Sequence, residues 1–321
     1  MKKQEQNNTR KKNPALLIVG ALIIIVSLVF AVYNHNNSYA RSVAIGKELK
    51  EVKAQITAVK EGTAVGDLDA LNALSAALSN DKLANERPYS YSLAALFLGI
   101  LLAVKGIYNT VVGTAPSQKA DVKKLAQAGL LAALCYIGFA FFKIDIPVGT
   151  EKTAFHFGNV FCVLAALLLG GYWGGLAGAI GMTIGDLTTS YVTSAPKTFL
   201  LKLLIGLIVG LVAHKIFKVS RSHSTSYVTK VTILASACGM GFNIIADPLV
   251  GYFYKTYLLG VPQDLAANLA KINLLTTSVN AVTAVICATV FYLALRPALK
   301  KAGLFVQVTP EETADASKES K

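Results

Sequence analysis

The chain has 321 residues, of which 54% are hydrophobic and only 15% are charged, and its mean hydropathy is +0.51. Because soluble domains carry about 25% charged residues, this composition excludes an ordinary soluble domain and indicates an integral membrane protein. The net charge of +13 does not indicate a nucleic-acid partner, since the lysines and arginines cluster at the ends of apolar runs, where they orient helices in a bilayer.

The N-terminal part combines a basic segment, residues 1–13, with an apolar run over 14–33. The run is long enough to cross about 30 Å of hydrocarbon, and it exceeds the ~7–15 residues of a secretory h-region. We therefore predict a cytoplasmic N-terminus and an uncleaved signal-anchor helix over 1–33. A cleaved signal peptide is the alternative, and both interpretations leave the basic terminus in the cytoplasm.

A polar segment follows over 34–90 and contains apolar residues at the 4,3,4,3 spacing of a helical seam. These residues are Ile45, Leu49, Val52, Ile56 and Val59. The pattern predicts an extracellular helical hairpin, which serves either as a packing stalk or as a cap that binds a partner or ligand. Residues 91–124 predict a second added membrane helix and a cytoplasmic linker, because Lys119, Lys123 and Lys124 follow the apolar run.

The remaining apolar segments define a core over 125–297, followed by a polar tail, 298–321, that we predict to be cytoplasmic and disordered. The six predicted core helices are 125–143, 157–171, 173–191, 197–217, 228–254 and 274–296. The predicted fold is an all-α integral membrane protein, in which two extra transmembrane helices and the extracellular helical hairpin precede a six-helix core. Alternation of these spans leaves both termini in the cytoplasm and places the basic loops there as well.

The segment that joins the second and third core helices carries glycines four residues apart at Gly170, Gly174 and Gly178, and again at Gly181 and Gly185. A stripe without side chains lets the backbone of another helix approach closely. We therefore predict tight helix packing along this segment.

Polar and charged residues of the core converge at one level, in the outer half of the predicted helices. They are His156, Asn159, Asp186, Lys202, Asn243, Asp247 and Asn280. Because a charged group in the bilayer costs about 2.5–3.5 kcal/mol, such residues are usually paired or line a polar cavity. We predict a substrate-binding cavity. The alternative is an ion pair of Lys202 with Asp186 or Asp247 that only holds helices together. The alternative for His156 is a helix-capping role, and the alternative for Asn280 is a hydrogen bond between helices.

The chain lacks the motifs of ATP binding and of common hydrolases, since it has no GxxxxGK[ST] loop, no HExxH and no GxSxG. Its four cysteines lie inside apolar runs without metal-ligand spacing. We therefore predict no catalysis, no metal site and no cofactor. An intramembrane enzyme that uses Asp186 and Asp247 as acid and base is an alternative, but no nucleophile or metal-ligand set accompanies them.

One segment of the core resembles a known family. Residues 144–203 contain FHFGNVFCVLAALLLGGYWGGLAGAIG followed by GDLTTSYVTSAPKTFLLK. They resemble the membrane substrate-binding subunit (S component) of energy-coupling factor (ECF) vitamin transporters, and most closely the riboflavin-type branch. The resemblance covers about 125–297. It implies a subunit of a bacterial cell membrane that binds a vitamin from outside and docks on a transmembrane coupling subunit driven by two cytoplasmic ATPases.

The resemblance also implies roles for particular positions. The family's AxxxA docking pattern on the first core helix is matched by Ala128 and Ala132, and its gating loop is matched by residues 144–153. The vitamin stays open among riboflavin, a pyridoxine-like ring and a pantothenate-like acid. An alternative function is a membrane-anchored sensor or scaffold that acts through its extracellular hairpin.

Overall fold

The computed structural model describes residues 14–111, 122–221 and 224–308, and the chain divides into two compact units at residue 121. The prediction of an all-α membrane protein is confirmed, because helices make up nearly all of the described residues. Six of the described helices are long and apolar enough to cross a membrane. They span Ala15–Lys60, Leu68–Ile107, Val122–Ala140, Val192–Ile216, Thr225–Leu258 and Gln263–Lys301.

The first unit is a pair of long antiparallel helices. Helix α1 (Ala15–Asn34) passes through a π-helical turn, His35–Tyr39, into α2 (Ala40–Lys60), and α3 (Leu68–Val111) runs back alongside both. A side chain at Gly20 would place its Cβ 2.4 Å from the Ala103 nitrogen, so the glycine is what lets α1 and α3 approach.

The predicted hairpin is therefore continuous with the two membrane helices. Ile45, Leu49 and Val52 of the predicted seam are buried on α2. The 46 residues from Ala15 to Lys60 extend over ~69 Å at ~1.5 Å per residue, which is more than twice the ~30 Å of a hydrocarbon core. A large part of this helix must lie beyond the bilayer.

The second unit contains six helices and one β-hairpin. The helices are α4 (Val122–Ala140), α5 (Gly158–Leu169), α6 (Gly171–Thr188), α7 (Ala195–Gly210), α8 (Thr225–Phe253) and α9 (Gln263–Lys301). Strands β1 (Lys143–Val148) and β2 (Glu151–His156) pair antiparallel between α4 and α5. Helix α5 is apolar on every side and nearly all of its residues are buried, so it forms the centre around which the other helices pack.

The glycines of α6 pack as predicted. A Cβ at Gly174 would lie 2.3 Å from the Ala166 Cα on α5, and a Cβ at Gly181 would lie 2.1 Å from the Ala132 carbonyl oxygen on α4. Helix α6 therefore touches the backbones of two neighbours at once, which no residue with a side chain allows.

The structure corrects the predicted loop after the first core helix. Residues 143–156 form the β-hairpin, because Ile144, Ile146 and Val148 alternate with polar residues or proline at the period of a strand. His156 consequently ends β2 and does not open a helix, and α5 begins two residues later at Gly158.

Both ends of the last core helix differ from the prediction as well. Helix α9 begins at Gln263, since Ala266 and Leu269 add a buried face ahead of residue 274. It continues to Lys301, and Lys123 and Gln127 of α4 donate hydrogen bonds to the carbonyls of Gly303 and Leu304. The tail predicted as disordered is thus ordered up to residue 308. The predictions for 1–13, for most of the linker and for 309–321 lie outside the described residues.

Candidate functional site

A cavity lies beneath the β-hairpin and among the helices of the second unit. The structure brings all seven predicted site residues onto its wall. They come from β2 and from every helix between α5 and α9: His156, Asn159, Asp186, Lys202, Asn243, Asp247 and Asn280.

Four of the seven side chains, which we call the cavity floor, are buried without a complete set of partners. Lys202 is 6% exposed, and no carboxylate of the described residues lies within 4.0 Å of its ammonium group. Asp186 Oδ2, Asn159 Oδ1 and Asn243 Oδ1 are buried and accept no hydrogen bond from the described part of the chain. The floor therefore presents a cation, a carboxylate oxygen and two amides that the fold itself leaves open.

Asp247, in contrast, is fully engaged by the protein. Its Oδ1 lies 2.7 Å from Lys197 Nζ, and its Oδ2 accepts hydrogen bonds from Asn273 Nδ2 at 2.6 Å and Thr277 Oγ1 at 3.3 Å. The ion pair proposed as an alternative for Lys202 thus exists with a different lysine. Asp247 joins α7, α8 and α9, and it holds no oxygen free for a ligand.

Asn280 is also engaged, by the edge of β2. The His156 backbone N–H donates to Asn280 Oδ1 at 2.9 Å, and Asn280 Nδ2 donates to the Ala154 carbonyl at 3.0 Å. Both halves of the amide are used, so Asn280 takes the place of a neighbouring strand along this edge. The predicted hydrogen bond of Asn280 reaches a strand and not another helix.

His156 forms part of the cavity roof. Its ring meets Phe139 edge to face, with 5.0 Å between the ring centroids, and its Nδ1 is buried without a partner among the described residues. Burial and, next, the positive charge of Lys202 lower the pKa of His156 from 6.5 to about 3. The imidazole is therefore neutral at physiological pH.

A second group of residues at the cavity mouth was missed by the sequence interpretation. Tyr191, in the connection between α6 and α7, donates its hydroxyl to Asp145 Oδ1 of β1 at 2.8 Å. Burial and this hydrogen bond raise the pKa of Tyr191, which keeps the phenol protonated as a donor. Lys143 lies 4.6 Å from the centroid of the same ring.

Further engaged residues lie along β2 and were equally missed. Lys255 pairs with Glu151 at 2.5 Å, and Thr153 Oγ1 donates to Asn273 Oδ1 at 2.8 Å. Lys197 and Lys255 sit near helix ends, where lysines are ordinarily interfacial. A carboxylate within the membrane needs a cation at the same depth, and this requirement of Asp247 could have identified Lys197 from the sequence.

The proposed docking alanines do not form an exposed surface. Ala128 is 7% exposed within the hydrophobic core, and Ala132 packs against it with its carbonyl at Gly181. The exposed side of α4 instead carries Ala126, Gly129 and Ala133.

Membrane-length helices around a polar cavity define a multi-pass membrane protein. A family model described as ECF-type riboflavin transporter, S component, matches residues 119–297, which is more than half of the chain. The chain belongs to this family, and it is accordingly a substrate-binding subunit of an ECF transporter. No curated protein and no solved structure matches it.

Proposed function

We propose that this protein captures riboflavin from outside a bacterial cell and hands it to a transmembrane coupling subunit powered by two cytoplasmic ATPases. The observation that carries the proposal is the cavity floor, where Lys202 is buried without an ion-pair partner among the described residues. Membership of the riboflavin-type family supports the choice of vitamin.

The physical argument concerns the cost of the open groups. A buried polar group left without a hydrogen bond costs about 1–3 kcal/mol, and a charged one costs more. Lys202 and Asp186 both lie on the floor without a mutual ion pair, although a purely structural role would be served by pairing them. A ligand that repays these costs on binding explains why the groups stay apart.

The floor also restricts the chemistry of the ligand. Lys202 can only donate hydrogen bonds, a carboxylate at Asp186 can only accept them, and Asn159 and Asn243 can do both. Riboflavin offers ring carbonyls to the donor, and a ring N–H and polyol hydroxyls to the acceptors.

In this proposal the hairpin faces the outside of the cell, both termini are cytoplasmic, and the protein performs no catalysis of its own. The coupling subunit docks on the exposed side of α4. An added Cβ at Gly129 would meet nothing within 4 Å, so another helix can approach the backbone there.

The test is titration of purified protein with riboflavin, followed through the flavin fluorescence, together with mass spectrometry of molecules that copurify. We expect tight, one-to-one binding that Lys202→Met weakens and that Lys230→Met, on an exposed site outside the cavity, leaves unchanged. Copurification of a different vitamin would redirect the substrate assignment. Absence of any ligand and of riboflavin binding in folded protein would contradict the proposal.

A second candidate is a membrane-anchored sensor or scaffold that acts through its extracellular hairpin. The observation in its favour is the length of α1 and α2, of which ~40 Å exceeds what a bilayer of ~30 Å requires. Under this alternative, substitutions in α2 would abolish the phenotype and Lys202→Met would not.

A further inference from the structure

We propose that the β-hairpin opens the cavity along one edge only: β2 stays fastened to α8 and α9, while β1 parts from Tyr191. The inference rests on the proposed function, because it takes the mouth beneath the hairpin as the route of the ligand. A gating role for this segment follows from the family resemblance, and the new element is which edge opens and which residue closes it.

The edge formed by β2 is held by five side-chain hydrogen bonds. Asn280 makes two of them, with the backbone of Ala154 and His156. Thr153 Oγ1 makes two more, with Asn273 Oδ1 at 2.8 Å and with Thr276 Oγ1 at 3.1 Å. The fifth is the contact of 2.5 Å between Lys255 and Glu151.

This fastening continues into the helices. Asn273, which binds Thr153, also donates to Asp247, and Asp247 is held in turn by Lys197. Thr153 is thereby connected through side chains to α9, α8 and α7 in succession. A movement of β2 would have to break this chain or carry three helices with it.

The base and the turn of the hairpin are fixed on the same side. The Phe157 N–H donates to the carbonyls of Gly138 and Phe142 and ties the base to the end of α4. At the turn, Gly149 has a φ of 60° and lies so close to α9 that an added Cβ would be 3.0 Å from Leu265. The turn and the outer edge of β2 are therefore held against α9, and this edge is the hinge about which the hairpin turns.

The edge formed by β1 is different. In the described part of the chain, apart from the ladder with β2, a single hydrogen bond joins β1 to another element, from the Tyr191 hydroxyl to Asp145. Lys143 and Lys152 also approach Asp145, but both lie within the hairpin, which turns about its β2 edge, so these contacts do not hold β1 to Tyr191. Ile144 beside Asp145 is 70% exposed, so little apolar packing resists separation.

The β1 edge of the hairpin is the weaker one, because one side-chain hydrogen bond joins it to Tyr191, whereas five side-chain hydrogen bonds hold the β2 edge. Opening also separates the Tyr191 ring from Lys143 and Lys152, whose ammonium groups lie 4.6 and 5.8 Å from the ring centroid. The ligand then passes over Tyr191, which lines the cavity at its mouth.

The first experiment locks the edge that we expect to stay closed. Thr153→Cys with Thr276→Cys places two thiols where hydroxyl oxygens lie 3.1 Å apart, in a background in which Cys238 and Cys287 are replaced by alanine. We expect the oxidised protein to bind and release riboflavin at rates within about twofold of those of the reduced protein. A loss of exchange of more than tenfold on oxidation would show that β2 is the moving edge and would overturn the proposal.

The second experiment weakens the edge that we expect to open. Tyr191→Phe removes the hydroxyl and keeps the ring, and it should raise the association and dissociation rates together by about threefold to tenfold while the Kd changes little. Tyr227→Phe is the matched control, because Tyr227 also donates a hydrogen bond of 2.8 Å, to the Phe217 carbonyl away from the cavity. Unchanged rates in Tyr191→Phe would contradict the proposal.

A ligand-free readout separates this inference from the identity of the vitamin. In the same background, Asn243→Cys places a thiol on the cavity floor, and its reaction rate with a charged maleimide reports opening directly. Tyr191→Phe should accelerate the reaction, and the oxidised Thr153→Cys and Thr276→Cys pair should leave it unchanged. If riboflavin does not bind the unaltered protein, the substrate assignment fails while these labelling rates still decide which edge opens.

Discussion

Lys197 and Asp247 form the buried ion pair of the cavity, with 2.7 Å between Nζ and Oδ1. This pairing divides the charged residues of the site into two roles. Asp247 is occupied by Lys197, Asn273 and Thr277, whereas Lys202 is left without a carboxylate within 4.0 Å in the described structure. A ligand can therefore use Lys202 without first breaking an ion pair.

The first prediction follows for Lys202. Lys202→Met should weaken riboflavin binding by more than about tenfold, since a hydrogen bond to a charged group contributes ~1.5–3 kcal/mol. The ligand-free protein should melt no lower than the unaltered protein, because Lys202 has no ion pair in the described structure that the substitution could break. Calorimetric titration and ligand-free melting on the same preparation measure both effects. Unchanged affinity together with a collapse in stability would return Lys202 to a structural role.

Lys197 should behave in the opposite way. Lys197→Met leaves the Asp247 carboxylate buried without its cation, and removal of one partner of a buried pair typically costs about 3–5 kcal/mol. The melting temperature should fall, and Asp247→Asn in the same chain should restore a large part of it by removing the orphaned charge. A double variant no more stable than the single one would show that the pair contributes nothing as a pair.

The sequence predicted the depth of the site along the helices better than it predicted which charged groups pair with each other. Depth along a helix follows from counting residues between Asp186, Lys202 and Asn280, and all three line the cavity. Which cation meets Asp247 depends on the rotation and tilt of α7 against α8, where Gly239 of α8 packs against Ile205 and Val209 of α7. No local pattern in the sequence encodes that rotation.

The β-hairpin shows a second limit of the sequence. Its strands are short and lie between two apolar runs, where a membrane protein ordinarily has a loop. Asn280 satisfies the outer edge of β2 from a position that is 124 residues away in sequence. A strand whose outer edge is satisfied by such distant residues leaves no local signal beyond the alternation of three apolar residues in β1.

The third prediction concerns the stability of the protein at low pH. The pKa of His156 is about 3 in the folded protein, and its ordinary value is 6.5. Between pH 3 and 6.5 the unfolded chain therefore binds a proton at this residue and the folded chain does not. The stability contributed by the neutral imidazole is present above pH 6.5 and is lost as the pH falls towards 3. His156→Gln should flatten the decline in melting temperature between pH 7 and 5, whereas His35→Gln, at an exposed position, should not. Equal slopes in all three proteins would exclude His156 as the cause.

The fourth prediction concerns the two sides of α4. Gly129→Trp on the exposed side should prevent copurification with a coupling subunit and leave riboflavin affinity unchanged, because bulk blocks the approach of another helix. Ala128→Trp should instead destabilise the protein itself, since the site is buried and overpacking commonly costs ~1–3 kcal/mol. Ile245→Trp, at a position that is 68% exposed on α8, serves as a control for added bulk. Intact association of Gly129→Trp would place the docking surface elsewhere.

The last prediction concerns the first unit, whose described residues, 14–111, contribute nothing to the wall of the cavity. A shortened chain that begins near Ser117 loses two predicted spans, and this even number preserves the predicted orientation of the core. Because every residue of the floor and every fastening of the hairpin lies beyond residue 121, the shortened protein should insert, fold and bind riboflavin with unchanged affinity. Titration and size-exclusion profiles of the two proteins provide the comparison. Loss of binding in a shortened chain that is folded would make the long helices part of the site, and it would strengthen the case for a sensor that acts through them.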